Sequence, residues 1–325
     1  MIISQTPLRI SFLGGNSDLP AYYSKYGGLV LTTTIDKYIY CIVKSRFDDL
    51  IRVKYSIQES VENVDDLKHD LVREALKMLG ITKGIEICFL SDIPSVGTGL
   101  GSSSSVTVGV LNALHSYLGE TVGAKQLAKE AVKIEIDILK NPIGIQDQYA
   151  VALGGLRWME FLKSGEVISK RIDISDSTRE DLDNSLMLFY TGITRKSNSI
   201  LSSLNVNKHI GLLDSNKALA LKGINALRKG NPKELGKLLD DYWNDKKKLS
   251  KKISNNAINN MYDKAIEAGA IGGKIIGAGG GGFMLLMVPE NRRESVRLRL
   301  KGYKELPFRL ECDGSKIIFN IRRYP

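Results

Sequence analysis

Cysteine is scarce in this 325-residue chain: Cys41, Cys88 and Cys312 stand far apart, an odd number without metal-ligand spacing. That argues against a disulfide framework and a thiolate metal centre, and it fits a reducing cytoplasm. No apolar run is long enough to span a bilayer, and the N-terminus lacks a basic segment followed by an apolar signal core. No membrane partner is expected. No internal repeat is evident. The net charge of +10 is not matched by a clustered basic and aromatic surface. The densest basic groups, Lys246-Lys247-Lys248 with Lys251-Lys252 and residues 292–299, lie on predicted helices without interleaved aromatics. Nucleic acid is therefore not expected, whereas anionic small molecules drawn in by the field are.

What is present is an apolar fraction of 43% and a charged fraction of 25%, the balance of a globular protein with room for two cores. The chain is organised around residues 94–105, Pro-Ser-Val-Gly-Thr-Gly-Leu-Gly-Ser-Ser-Ser-Ser. The apolar run 85–90 before it reads as a strand, and residues 106–118 after it show helical spacing. A Gly/Ser loop between strand and helix offers backbone N–H groups beside the positive end of a helix dipole, a site for phosphate. A flexible loop with an ordinary serine cap reads equally well. No lysine follows in Walker order, which removes the nucleotide P-loop of that type.

In chain order, residues 1–13 predict a strand ending in the turn Gly14-Gly15-Asn16-Ser17-Asp18. Strands follow at 28–34, 38–45 and 51–55, then helices at 65–79 and 124–139, the second stopped by Lys140-Asn141-Pro142. Strands are expected at 156–162, 167–172 and 185–190, with a soft boundary near 176–184. Helices at 208–228, 232–250 and 257–268 precede the run Gly277-Ala278-Gly279-Gly280-Gly281-Gly282 and a strand at 283–288. A helix at 290–301 and strands at 308–312 and 317–321 close the chain. Each half is α+β.

Three segments, 7–18, 94–105 and 277–282, resemble in order and spacing the three signatures of the GHMP kinase superfamily. The strings GGNSDLP, GTGLGSSSS, NPIGIQDQYAVALGG and YTGITRKS are most similar to its heptose 7-phosphate kinases. The resemblance implies a two-domain fold: residues 1–180 like ribosomal protein S5 domain 2, and 181–325 ferredoxin-like. It further implies ATP and Mg²⁺, a sugar phosphate as acceptor, a site between the domains and a possible homodimer.

By this resemblance Asp147 is the catalytic carboxylate of N-P-x-G-x-x-D, taking the acceptor proton; read alone, it could simply cap the following helix. Arg9 matches the basic residue of the first signature and is expected to pair with Asp147 and steady transition-state charge. Gly97, Gly99, Gly101, Ser102, Ser103 and Ser104 would line the phosphates, with Gly279 and Gly280 of the third run approaching them. Ser103 is the expected metal-binding hydroxyl. Helical geometry leaves Glu130 and Glu135 both open as its carboxylate partner, and the family pattern selects Glu135, leaving Glu130 solvated. Asp18, Asn16 and Gly15 would face the sugar. Gly15 and Asn16 stand where galactokinases carry Glu-His, which argues against galactose. A terminal phosphate calls for a cation, Arg195 first, with Lys196 and Lys140 behind it. Competing readings are another anomeric sugar kinase, a catalytically silent sugar sensor, and an RNA-binding module.

Overall fold

The computed structural model describes residues 1–94, 97–194, 198–201 and 204–321. Its strands are β1 (Ile2–Leu13), β2 (Gly28–Ser45), β3 (Ile51–Lys54), β4 (Gln58–Val61), β5 (Ile85–Ser91), β6 (Arg157–Phe161) and β7 (Val167–Arg171). The later ones are β8 (Leu186–Tyr190), β9 (Gly272–Ile275), β10 (Phe283–Met287), β11 (Lys304–Glu305), β12 (Leu310–Glu311) and β13 (Lys316–Asn320). Helices in the first half are α1 (Pro20–Tyr26), α2 (Asp70–Met78), α3 (Ser102–Leu118), α4 (Ala124–Val132) and α5 (Gln146–Leu153). Then come α6 (Asp176–Ser185), α7 (Asn198–Leu201), α8 (Ile210–Arg228), α9 (Pro232–Leu249), α10 (Asn256–Glu267) and α11 (Arg293–Arg299).

The larger sheet runs β13-β1-β2-β5-β3-β4, with β12 and β6 joining other stretches of β2, and β7 joining β6. The smaller sheet runs β11-β8-β10-β9. The two strands expected at 28–34 and 38–45 are one. Pro7 faces Tyr38 while Leu8 faces Ile35, so Asp36 and Lys37 form a bulge in an otherwise continuous β2. The charged pair that split the apolar pattern is the extra length a bulge inserts.

Helix α3 lies on β1 through small residues. A Cβ at Gly109 would come within 2.9 Å of Thr6 Oγ1. Ser4 Oγ donates to Gly109 O at 2.7 Å, and Ser105 Oγ to Pro7 O at 2.9 Å. That contact brings the N-terminus of α3 over the middle of β1. The helix expected at 124–139 is α-helical to Val132 and then a π-helical turn over Lys133–Ile138. The wider turn rotates the residues after it relative to a regular helix, as π-turns near functional sites often do.

The expected second domain, 181–325, does not keep its last strands. Leu310 pairs with Ile35 of β2, and β13 pairs with β1 from Ile2↔Asn320 to Gln5↔Lys316. Alternating apolar residues predict a strand there, but periodicity does not say which sheet edge it joins. One core cluster also draws on both halves, with Leu8, Ile10 and Phe12 of β1 beside Leu235, Tyr242 and Leu285.

Deleting residues 308–325 should therefore lower Tm by about 10 °C or more, at roughly 2–4 °C per kcal/mol for a chain of this size. Thermal melting checks it; an unchanged Tm would mean β12 and β13 contribute nothing to the larger sheet.

Candidate active site

Arg9 sits on β1, 3% exposed, and points under the glycine loop. Its Nε and Nη2 donate to Asp147 Oδ1 and Oδ2 at 2.7 and 2.6 Å, and Nη1 donates to Gly99 O at 2.6 Å. This is a two-pronged guanidinium–carboxylate pair, the strongest common geometry for such a contact. Asp147 lies in the first turn of α5, and its side chain keeps 24% exposure toward the cavity. Each carboxylate oxygen has a second lone pair, so the pair with Arg9 does not exhaust Asp147 as an acceptor.

The loop above it is built from left-handed glycines. Gly97, Gly99 and Gly101 have φ of 71°, 78° and 77°. A Cβ on Gly99 would lie 2.3 Å from Ile276 O, and one on Gly101 would lie 2.9 Å from Arg9 Cγ. Ser102, Ser103 and Ser104 open α3, whose first turn has no side-chain cap, leaving backbone N–H groups for an anion.

On the far side of α3's first turn, Ser103 Oγ donates to Glu135 Oε2 at 2.9 Å, and Ser104 Oγ does so at 3.4 Å. Glu135 is fully buried on the π-turn, and among the described residues its Oε1 has no hydrogen bond of its own. Burial pushes its carboxyl up to about 7, against the pull of the two serine hydroxyls and the Gln148 side chain. Glu130 is elsewhere: its Oε2 is 2.8 Å from Nε2 of the buried His115, and Gln126 donates to its Oε1. It is no solvated residue but half of a clamp on that imidazole.

At the other end, Asn16 takes a left-handed turn at φ 72°. Asp18 accepts from Asn16 N at 3.0 Å and Gln146 N at 3.2 Å. Burial first, then the charge of Asp147, raise the Asp18 carboxyl to about 6. A Cβ at Gly144 would fall 1.8 Å from Asp18 Oδ2, so glycine is required there. Tyr242 of α9 donates from its hydroxyl to Gly15 O at 3.2 Å, and a Cβ at Gly15 would reach that oxygen at 2.9 Å.

These groups line one cavity of about 500 Å³ running from His69, just before α2, and Leu71 of α2, past Ser103 and Asp147, to Asp18 and Tyr242. Residues 68–155 match the GHMP kinases N terminal domain, and residues 224–305 match GHMP kinases C terminal. The chain is 34% identical to D-glycero-alpha-D-manno-heptose 7-phosphate kinase of Campylobacter jejuni, over 91% of each chain. The chain belongs to the GHMP kinase family. It is an ATP-dependent sugar kinase. A crystal structure of a D-glycero-D-manno-heptose 1-phosphate kinase from Bacteroides thetaiotaomicron superposes with a TM-score of 0.82 at 28% identity, over 99% of this chain and 100% of that one. L-fucokinase/L-fucose-1-P guanylyltransferase of Bacteroides fragilis is 28% identical over 92% of this chain and 36% of its own greater length.

Most residues named from the sequence of this kinase meet in the cavity; Gly279, Gly280 and Lys140 do not line it. A Cβ on Gly279 would strike Ile253, and Gly280 N donates to Ile253 O at 2.7 Å. The glycines that touch the Gly97–Gly101 loop are Gly277, against Gly99, and Gly282, against Thr98 O. Arg195 and Lys196 lie outside the described residues. Sequence reasoning missed Tyr242, Lys246 and Lys274, which also line the cavity. Lys246 was hidden among the charges of α9, Lys274 stood alone between glycines and isoleucines, and a tyrosine on an amphipathic helix carries no distinguishing signal.

Ser103 with Glu135 fits a magnesium ion by chemistry, since hard oxygen ligands are what that ion takes. The orphaned Oε1 in a buried carboxylate is an oxygen in want of a partner. Among the described residues no group of three His, Cys, Asp or Glu gathers for a metal. A cation here would draw its remaining ligands from phosphate and water.

Asp18 gives a pH signature. Its folded value near 6 exceeds the ordinary aspartate value of 3.8, so its contribution to stability is full below 3.8 and lost as pH rises through 6. The loss amounts to roughly 3 kcal/mol at ~1.4 kcal/mol per unit. Chemical denaturation across this range should show that fall in the wild type and a flatter profile in Asp18→Asn. Parallel profiles would assign the slope to other groups.

Proposed function

We propose that this kinase transfers the γ-phosphoryl group of ATP to the anomeric C1 hydroxyl of D-glycero-D-manno-heptose 7-phosphate, giving the 1,7-bisphosphate for nucleotide-activated heptose and surface polysaccharide. The observation that carries the reading is the Arg9–Asp147 pair beneath the Gly97–Gly101 loop, facing an acceptor end at Asp18. Nucleotide phosphates lie against the loop N–H groups and the start of α3. Asp147 accepts the proton of the C1 hydroxyl as the new O–P bond forms and the bridge to ADP breaks. Arg9 holds the carboxylate in line and offsets the charge that spreads over the phosphoryl oxygens. Ser103 and Glu135 would hold a magnesium ion, which supplies neutralisation of phosphate charge. Asp18 and Asn16 orient sugar hydroxyls.

The acceptor end supports a sugar other than galactose. Tyr242 fills the space a side chain at residue 15 would need, so a glutamate there is not accommodated with the tyrosine in place. The similar heptose 7-phosphate kinase of Campylobacter jejuni supports the choice of sugar. Free Cys41, Cys88 and Cys312 suit a cytoplasmic setting.

An ADP-release assay across sugars tests the substrate: heptose 7-phosphate should give the highest kcat/KM, and faster turnover of fucose or galactose would replace it. Asp147→Asn should lower kcat by ~10²–10⁴ with ATP affinity nearly kept, the range of one general base; an active asparagine variant would remove the base role. Glu135→Gln should raise the Mg²⁺ concentration needed for half-maximal rate, and Glu130→Gln should not. The reverse result would move the metal to α4.

A further inference from the structure

Beneath the phosphate loop lie two ammonium groups that the mechanism above does not use. Lys246 on α9 and Lys274 on β9 are 2% and 1% exposed, yet both line the cavity. Lys274 Nζ donates to Ser11 O and Phe12 O at 2.8 Å each, carbonyls close to the register shift of β1 between Ser11 and Leu13. It also stands 4.2 Å from the centre of the Tyr242 ring. Its donors are committed. Lys246 Nζ donates to Gly277 O at 2.5 Å and, more weakly, to Ile275 O at 3.4 Å. An ammonium has three donors, so Lys246 keeps one for a ligand.

Among the described residues neither lysine forms an ion pair with a carboxylate, while Arg9, the cation beside them, already has Asp147. A buried cation without an anion is strongly disfavoured, and an apolar side chain would fill the same volume. Burial, then the charge of Arg9, pull Lys246 down to about 7; burial, then its cationic neighbours, pull Lys274 well below its ordinary value. The floor is short of negative charge. Ser11 Oγ, buried in the same cavity with no hydrogen-bond partner among the described residues, is a second polar group lacking a ligand. Gly277, whose carbonyl Lys246 holds, packs against Gly99, so the ammonium lies beside the loop assigned to phosphate.

We propose that Lys246 is a phosphate-binding residue of the cavity floor, with Lys274 behind it adding positive potential. The proposal rests on reading this cavity as the phosphoryl-transfer site. The phosphate has two sources, the acceptor's own phosphate or the phosphoryl group in transit from the nucleotide. Lys246 then acts as a specificity residue in the first case and a catalytic one in the second.

Lys246→Met keeps the length and removes the charge. With the acceptor phosphate as partner, KM for heptose 7-phosphate rises roughly 10- to 100-fold, the range for one charge-assisted hydrogen bond, while KM for unphosphorylated heptose rises far less. With the phosphoryl group in transit as partner, kcat falls by a similar factor for both sugars. A lower Tm with KM and kcat both within ~3-fold of wild type, inside the scatter of an ordinary surface change, marks a structural tie and overturns the proposal. Wild-type protein gives a second measurement independent of the variant's folding. Inorganic phosphate at constant ionic strength should slow acetylation of Lys246, followed by peptide mass spectrometry, and an unchanged rate overturns the assignment. A wild type that phosphorylates no sugar would instead sink the reading of the cavity itself.

Discussion

The contact on which the site depends is the pair between Arg9 and Asp147, closed by the third bond from Arg9 to Gly99 O. It ties together a strand, a glycine loop and a helix start that are 90 and 138 residues from Arg9 in sequence. Arg9 can hold both partners with three bonds because β1 is held on all sides: β2 and β13 flank it, and α3 lies across it. A guanidinium so confined has little rotamer freedom left to lose when a substrate arrives. The same confinement explains Gly101, where any Cβ would meet the arginine stem before it met a ligand. One residue type thus serves two demands, a left-handed turn and a close approach.

Much of this was legible in the sequence because it is local. The strand–glycine–helix order around residues 85–118, the α+β alternation and the proline stop after residue 140 follow from periodicity and turn chemistry. The preference for Glu135 over Glu130 came from the family pattern and not from helical geometry. The π-turn over Lys133–Ile138 sets Glu135 toward Ser103, while Glu130, in the regular part, faces His115. Periodicity at 3.6 residues cannot anticipate a turn of different pitch.

What escaped the sequence is non-local. Nothing in residues 310–320 states that they return to β1 and β2, because an edge strand is chosen by shape and not by its own pattern. The third glycine run was recognised, but the wrong members were assigned to the loop. Gly277 and Gly282 meet it because they sit at the two ends of the turn between β9 and β10, whereas Gly279 and Gly280 project toward Ile253. A run of glycines looks uniform as text; only backbone neighbours distinguish its members. Lys246 and Lys274 were equally invisible, since a lysine on a charged helix reads as solvated, and a single lysine in a short strand carries no signal, until its burial is known.

The placement of these lysines makes sense of the shared core. Leu8, Ile10 and Phe12 of β1 pack with Leu235 and Tyr242 of α9 and Leu285 of β10, so the two sheets cannot drift apart without exposing that cluster. A cavity walled by both halves then keeps its geometry. Acidic groups, Asp18, Asp147 and Glu135, stand on elements of the first half, and the unpaired ammonium groups stand on the second. A phosphorylated acceptor with hydroxyls at one end and negative charge elsewhere would meet carboxylates from one half and cations from the other. Opposite signs supplied by the two halves would orient such a ligand through its own dipole, and would do so only while the common core holds the halves in register.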